Sequence, residues 1–507
     1  MAEPTISSAL VRAEELRSPL LVMHVFEQER EPIGFVAKVD DRLGGVVRRV
    51  LASGDFSGRK EETLVLYAPA SDAPIQRVLL VGAGKREDHT MDRLRRGIGA
   101  AIRTAERLGL GELDISLGHT HHTSERVGDY HAGLAAVEAA LLAAWDFREL
   151  KTEGDESAPR GRVTHVRLVA HDEANQRDFQ RAVDYGTITA RGANVARELQ
   201  TQPGNVLTPT YLAERARELG TAVGLQVTVL DRAGIEQAGM KALLAVAQGS
   251  SEEPRFIIME HRRGGDARPL VLIGKGVTFD AGGISIKPAE RMEDMKYDMS
   301  GAAAVVGAMH AIAQLELKAN VIGVIPATEN LPSGTAYKPG DVIGTHLGKS
   351  VEIVNTDAEG RLILADALSY VRRYQPAAVI DAATLTGAVV IALGQHAIGL
   401  MGNDGELMDE VQAAGLRVGE RCWSLPLWDE YRPQIDSTIA DIKNSGGRAA
   451  GTITAGWFLK EFVDYPWVHL DVAGTAYRDE PAPYLRKGAT GVPARLFIEW
   501  VKARAEA

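Results

Sequence analysis

Apolar positions along the chain fall into two alternating rhythms. Short runs rich in Val, Leu and Ile at 20–26, 64–68, 77–81 and 164–170 read as strands. Between them, 90–108 and 131–147 carry the wider spacing of helices, the second rich in Ala with spaced Leu. Residues 152–162 are polar and read as an exposed loop. A long polar helix follows over 173–200 and stops at the turn cluster Thr201-Gln202-Pro203-Gly204-Asn205. Alternation then resumes. Strands are expected at 225–230, 255–260, 270–274, 320–326, 377–381 and 467–472, and helices at 210–219, 300–315, 361–374, 405–417 and 492–505. Such alternation predicts an α/β protein. The expectation is a smaller N-terminal α/β domain over 1–172, a connecting helix over 173–200, and a larger C-terminal α/β domain over 201–507. The larger domain should hold a mixed central sheet flanked by helices, with its chemistry at the carboxyl ends of strands.

Composition narrows the classes. The 507 residues can bury a large core, and length alone would allow about three domains, which the pattern reduces to two. Lys and Arg number 57 against 68 Asp and Glu, a net charge of −11. This weighs against a dominant nucleic-acid or anionic-membrane surface and leaves a local basic patch open. The single cysteine, Cys422 beside Trp423, excludes an intramolecular disulfide framework and every cysteine-cluster zinc site. It reads as a packed thiol and fits a reducing, cytoplasmic setting. No apolar run approaches the ~18 residues of a membrane span. The run Pro19–Phe26 is preceded by Glu14 and Glu15 and followed by Glu27-Gln28-Glu29, so it reads as a buried strand rather than a signal peptide.

Several familiar motifs fail. Gly82-Ala83-Gly84-Lys85 follows a strand, but Leu79, Arg86 and Glu87 stand where a phosphate loop or dinucleotide fingerprint needs other residues. It reads as a strand-ending turn. His119, His121 and His122 cluster without a second ligand pattern and read as a solvated loop. No nucleophile-elbow serine is present.

The informative residues are acids. An apolar run from 270 leads to Lys275, then Asp280 and the pair Gly282-Gly283. Lys287 follows. Asp298 precedes the small-residue helix start Ser300-Gly301-Ala302-Ala303-Ala304. Asn355-Thr356-Asp357-Ala358-Glu359-Gly360-Arg361 then places two acids two residues apart. In extended backbone those two side chains point the same way, which is the expected local conformation. Isolated buried carboxylates are costly. Lys275, Lys287 and Arg361 could compensate some of that charge, and divalent Zn, Mn or Mg would do it better. For any single acid, a solvated loop with ordinary ion pairs is the plainer alternative.

Taken together, Gly274–Gly283, Tyr297-Asp298-Met299 and Asn355–Leu362 resemble the leucyl aminopeptidase (cytosol aminopeptidase) family. Glu329-Asn330, Pro339-Gly340-Asp341-Val342, Asp381–Gly387 and His469–Gly474 add to the resemblance, which covers roughly 200–507. The amino half resembles the family's accessory domain only in layout. The resemblance implies a catalytic C-terminal domain with two divalent ions, Mn2+ or Zn2+, per subunit. Asp280 and Glu359 would bridge them, Lys275 and Asp298 would complete the tighter site, and Asp357 the more exchangeable one. Lys275 would have to be neutral to donate a lone pair. Lys287 would stabilise the oxyanion, and Arg361 would hold a bicarbonate that relays the water's proton. Met295, Asn330, Thr384, Leu385, Gly387, Ala473 and Ala476 would bind substrate. Relatives can carry a larger apolar residue at position 476, so Ala476 implies a pocket roomy enough for Leu, Met and aromatic residues. Peptides are the implied partners and a homohexamer the implied assembly, with no membrane. Three other roles stay open: DNA binding as a secondary role, a catalytically dead scaffold, and nucleotide binding by the amino domain.

Overall fold

The computed structural model describes residues 3–118, 128–152 and 161–506. His119, His121, His122 and most of the 152–162 loop lie outside the described residues. The chain forms two compact units, Met1–Ala190 with Glu480–Lys487, and Arg191–Asp479 with Gly488–Ala507. The long helix runs from Glu173 to Thr201, and the division between units falls inside it.

The first unit holds β1 (Thr5–Leu10), β2 (Leu21–Phe26), β3 (Thr63–Tyr67), β4 (Arg77–Gly84), β5 (Glu112–Ser116) and β6 (His165–Ala170). They form one sheet in the order β1-β6-β5-β2-β4-β3, parallel except for the β3/β4 pair. β2 is the buried 19–26 run. β1 and β5 escape the pattern because Thr5-Ile6-Ser7-Ser8 and Glu112-Leu113-Asp114 interleave polar residues over a short span. The helix Met91–Leu108 starts where the Thr90 side chain accepts the Arg93 N–H, and it ends at Gly109 in the left-handed region. Asp129–Ala144 is buried on nearly all sides, which suits its Ala-rich composition. Gly82 and Gly84 lie inside β4 rather than in a turn after it. A Cβ on Gly82 would run into the Arg59 carbonyl, so close passage of the 58–60 segment explains the glycine.

The second unit contains β7 (Gln226–Leu230), β8 (Arg255–Arg262), β9 (Leu270–Gly274), β10 (Gly276–Asp280), β11 (Asn320–Asn330), β12 (Val342–Gly344), β13 (Ser350–Glu352), β14 (Ala378–Ala383), β15 (Ile398–Gly402), β16 (Cys422–Ser424), β17 (Ile442–Lys443) and β18 (Trp467–Asp471). The central sheet runs β16-β15-β18-β14-β9-β11-β8-β7, with β10 also paired to β11. Its middle, β18-β14-β9-β11, is parallel, while β15 and β8 join antiparallel. The mixed sheet and its helices match the α/β expectation. Val271, Ile273, Ile322 and Val324 pack with Leu362, Ile363, Phe458 and Trp467 in one core. Cys422 is buried and free, and burial pushes its thiol up. The carboxyl ends of β10, β11, β14 and β18 (Asp280, Asn330, Ala383, Asp471) face a common region, where α/β sheets place their ligands. No helix among the described residues is long and apolar enough to cross a membrane.

Candidate metal centre and substrate pocket

Lys275 sits in the break between β9 and β10. Its main chain is held on both sides: its N–H donates to the Ala382 carbonyl at 3.0 Å, and its carbonyl accepts the Ala302 N–H at 3.0 Å. The side chain is 3 % exposed. Nζ lies 2.8 Å from both Asp298 oxygens and 2.9 Å from Glu359 Oε1, and donates to the Thr384 carbonyl at 2.9 Å. Gly360 makes room for it, since a Cβ there would come within 2.7 Å of Nζ.

Asp280 ends β10. Its Oδ1 accepts the Gly282 N–H at 2.9 Å and Asn330 Nδ2 at 2.8 Å, and its Oδ2 lies 2.8 Å from Lys287 Nζ. Lys287 also pairs with Asp357. Gly282 and Gly283 both have positive φ, 87° and 65°. Side chains there would press on the Ser285 carbonyl and on Asn330 Oδ1, so the turn after Asp280 requires glycine. Asp298 lies in the 3-10 turn Met292–Met299 and accepts the Thr384 hydroxyl at 2.8 Å.

Asp357 and Glu359 converge by a different route from the one expected. The segment is not extended. Asn355 Oδ1 accepts the Asp357 N–H at 2.9 Å and the Asn355 carbonyl accepts the Ala358 N–H, which makes a turn. Glu359 already has helical dihedrals at the start of the helix Gly360–Tyr370. The turn delivers one carboxylate and the helix N-terminus the other, where the helix dipole favours negative charge. Oxygens of Asp280, Asp357 and Glu359 all lie within 4.8 Å of one another.

The electrostatics follow from four carboxylates and two ammoniums packed together. Burial pushes Asp280 up to about 6 and raises Asp298 and Asp357 above the usual carboxylate range. Burial would raise Glu359 too, but Lys275 and Lys287 outweigh it and hold that acid low. Burial opposes charge on the two lysines, yet Asp298 and Glu359 hold Lys275 above its ordinary value, and Asp280 and Asp357 do the same for Lys287. Two positive charges against four negative ones leave an anionic surplus in a desolvated place. Asp298 Oδ2 is buried without a hydrogen bond in alignment. An oxygen-rich donor set with one amine and surplus negative charge is chemically suited to hard or borderline divalent ions.

A cavity of about 590 Å³ opens onto these groups. Met295, Thr384, Leu385, Gly387, Ala473 and Ala476 line it together with Lys275, Asp280, Lys287, Asp298, Asp357 and Glu359. Asn330 does not. It is fully buried behind the acids, where Nδ2 donates to Asp280 Oδ1, to the Thr356 carbonyl at 3.0 Å and weakly to Glu359 Oε2 at 3.4 Å. Expected among the substrate-binding residues, it stands here behind the acids instead. It ends the wholly buried β11, and the pairing of Asn330 with Asp280 turns its amide toward the carboxylates.

Arg361 lines an adjoining recess of about 250 Å³, which shares Asp357, Leu385, Thr386 and Gly387 with the main cavity. Its Nη1 donates to the Asn444 carbonyl at 2.8 Å, while Nε is buried without a partner. Burial lowers its pKa to about 10. The sequence reading assigned no role to Tyr297 and Tyr477, whose rings lie 4.6 Å apart on the cavity wall. Tyr297 adjoins Asp298 in the same motif, a signal that was available. Thr356 was also missed: its hydroxyl donates to the Gly282 carbonyl at 2.6 Å and accepts the Ser285 N–H at 2.8 Å, tying the glycine turn to the acid-bearing segment.

Comparison with known proteins gives the same reading over both units. The cytosol aminopeptidase family's catalytic domain matches residues 194–498, and its N-terminal domain matches residues 22–154. A probable cytosol aminopeptidase of Geotalea uraniireducens (strain Rf4) is 48% identical over 476 residues, covering 92% of this chain and 93% of its own. A mutant tomato leucine aminopeptidase of solved structure superimposes with a TM-score of 0.87 at 29% identity, covering 99% of this chain and 97% of its own. The bottromycin maturation enzyme BotP, solved in complex with Mn, gives a TM-score of 0.84 at 32% identity over 96% of this chain and 99% of its own. With both domains matched and close relatives spanning nearly its whole length, the chain belongs to the cytosol aminopeptidase family and is a metallo-exopeptidase hydrolase.

Proposed function

We propose that this protein removes large apolar N-terminal residues, leucine foremost, from peptides, and that Lys275, Asp280, Asp298, Asp357 and Glu359 hold two divalent ions, Mn2+ or Zn2+. In this reading Asp280 and Glu359 would be shared by the two ions, Lys275 and Asp298 would serve the tighter site, and Asp357 the more exchangeable one. The observation that carries it is the convergence of four acids and two lysines on the wall of a cavity whose lining also includes Met295, Leu385, Ala473 and Ala476. When bound, the ions supply Lewis acidity toward the scissile carbonyl and make water a competent nucleophile near neutral pH.

The chain's own residues do the rest. Lys287 keeps its charge beside Asp280 and Asp357 and acts as the donor toward the developing oxyanion. Arg361 presents a buried, unpaired Nε toward the adjoining recess. A planar oxyanion such as bicarbonate suits that fork and would serve as the proton relay. Ala476, 1 % exposed, leaves the first-residue pocket wide, and 590 Å³ accommodates Leu, Met or an aromatic ring.

Hydrolysis of leucine anilide, before and after chelation and with Mn2+ or Zn2+ restored, tests the proposal. Activity should vanish on chelation and return with metal. No hydrolysis after restoration would overturn it, and a strict preference for Gly or Ala anilides would overturn the specificity part alone.

A further inference from the structure

β14 and β18 run parallel with Ala383 opposite Asp471. Asp471 therefore ends its strand beside the point where the chain leaves β14 and turns through Thr384, Leu385 and Thr386 into the helix Gly387–Leu393. The carboxylate is 1 % exposed and lines neither cavity. All its recorded partners are donors. Oδ1 accepts the Leu385 N–H at 3.2 Å and the Ala473 N–H at 3.3 Å, and Oδ2 accepts the Thr386 hydroxyl at 2.7 Å. That pattern suits an ionised acid. Thr386 and Thr452 share a further hydroxyl contact at 2.8 Å, and Thr386 also caps the following helix by accepting the Val389 N–H.

Behind Asp471, on the same face of β18, His469 Nδ1 lies 2.6 Å from Asp381 Oδ1, whose other oxygen accepts Trp467 Nε1 at 2.6 Å. Burial opposes charge on His469, but Asp381 outweighs it and raises its pKa. Burial raises the Asp471 carboxyl above its ordinary value, and His469 and the Thr386, Ala473 and Leu385 donors pull the other way, toward the charged form.

The turn held in this way presents Thr384 to the metal centre with both of its oxygens. Its carbonyl accepts from Lys275 Nζ at 2.9 Å, and its hydroxyl donates to Asp298 Oδ1 at 2.8 Å. A lysine can ligate a metal only as the free amine. An acceptor for one of the remaining N–H bonds then orients its lone pair toward the ion.

We propose that Asp471 is a positioning residue for the tighter metal site: it clamps the Thr384–Thr386 turn so that Thr384 orients both Lys275 and Asp298. The inference rests on the proposed ligand assignment.

The test is calorimetric titration of chelator-stripped, full-length protein with Mn2+, for wild type, Asp471→Asn and Asp280→Ala, with near-UV circular dichroism as the check on folding. Asp471→Asn should weaken the tighter Mn2+ site by about 10–100-fold and leave the weaker site unchanged. A purely structural role would lower the melting temperature and spare the difference between the sites. Should Asp471→Asn fail to fold, Thr386→Val removes the hydroxyl that donates to Oδ2 and should weaken the same site selectively. In a folded double variant the two effects should fall short of additive, because both act through one turn. Wild-type Mn2+ affinity in folded Asp471→Asn, alongside lost binding in Asp280→Ala, overturns this proposal alone. Undiminished Mn2+ binding in Asp280→Ala overturns the ligand assignment beneath it.

Discussion

Replacing Asn330 with Ala separates two roles for that residue, substrate contact and support of the acids. The Nδ2 amide has two protons. The short contacts are to Asp280 Oδ1 at 2.8 Å and the Thr356 carbonyl at 3.0 Å, with Glu359 Oε2 at 3.4 Å a weaker third. A hydrogen bond to a charged group contributes about 1.5–3 kcal/mol and a neutral one about 1 kcal/mol, so truncation removes about 2.5–4 kcal/mol. Part of that loss falls on fold stability. The remainder frees Asp280 to rotate, and partners that orient ligating groups typically change metal affinity by about 10–100-fold. Calorimetric titration with Mn2+ should show that loss in Asn330→Ala. Steady-state hydrolysis of leucine anilide should show an unchanged KM, with kcat recovered at saturating Mn2+. A raised KM with wild-type Mn2+ affinity would refute this reasoning and return Asn330 to the substrate wall.

Three other outcomes are expected. Asp357→Ala and Glu359→Ala should each cut turnover by about 10²–10³-fold or more while circular dichroism keeps the fold; near-normal rates in either would remove that residue from the centre. Ala476→Phe should narrow the first-residue pocket, so kcat/KM for Leu and Phe anilides should drop about 10–200-fold relative to Ala anilide; parallel losses on all three substrates would mean that position 476 does not gauge side-chain size. In the first unit, burial and then the neighbouring His89 push His24 down to about 3, against the opposing pull of the Ser116 backbone. The unfolded chain binds this proton at its ordinary pKa near 6.5 while the folded unit refuses it. Stability from His24 is therefore full above about pH 6.5 and is lost as pH falls toward 3, by about 1.4 kcal/mol per unit. Melting temperatures of His24→Leu should fall less steeply with acid than those of wild type, and identical slopes would count against the neutral, buried imidazole.

Much of the fold was legible because burial patterns in this chain are local. The 270–274 run, the long polar stretch ending at Thr201 and the small-residue start at Ser300 each announce their element within a dozen residues. The same holds for the acids. Asp280 with its two glycines, and Asp357 with Glu359, stand out because each group sits in one short segment whose neighbours are small. The conformation of Asn355–Glu359 was misjudged for an equally local reason. Two acids two residues apart converge in extended backbone, but they also converge when one sits in an Asx turn and the other begins a helix. The Asn at 355 is the residue type that favours such a turn.

The support around the acids was hidden for a different reason: it depends on strand register. β11, β14 and β18 are buried at every position, so none of them carries the alternation that would show which residue faces which side. A slip of β18 by one residue against β14 would turn Trp467, His469 and Asp471 to the opposite face and leave Asp381 without them. In the observed register Ala383 meets Asp471 and Asp381 meets His469, and both acids find donors. Had the slip occurred, two carboxylates would be buried among apolar neighbours at a cost of several kcal/mol each. The polar residues in these apolar strands therefore act as register marks. Their pairing brings Thr384 against Lys275 and Asp298, so the alignment that satisfies the buried acids also completes the surroundings of the metal centre.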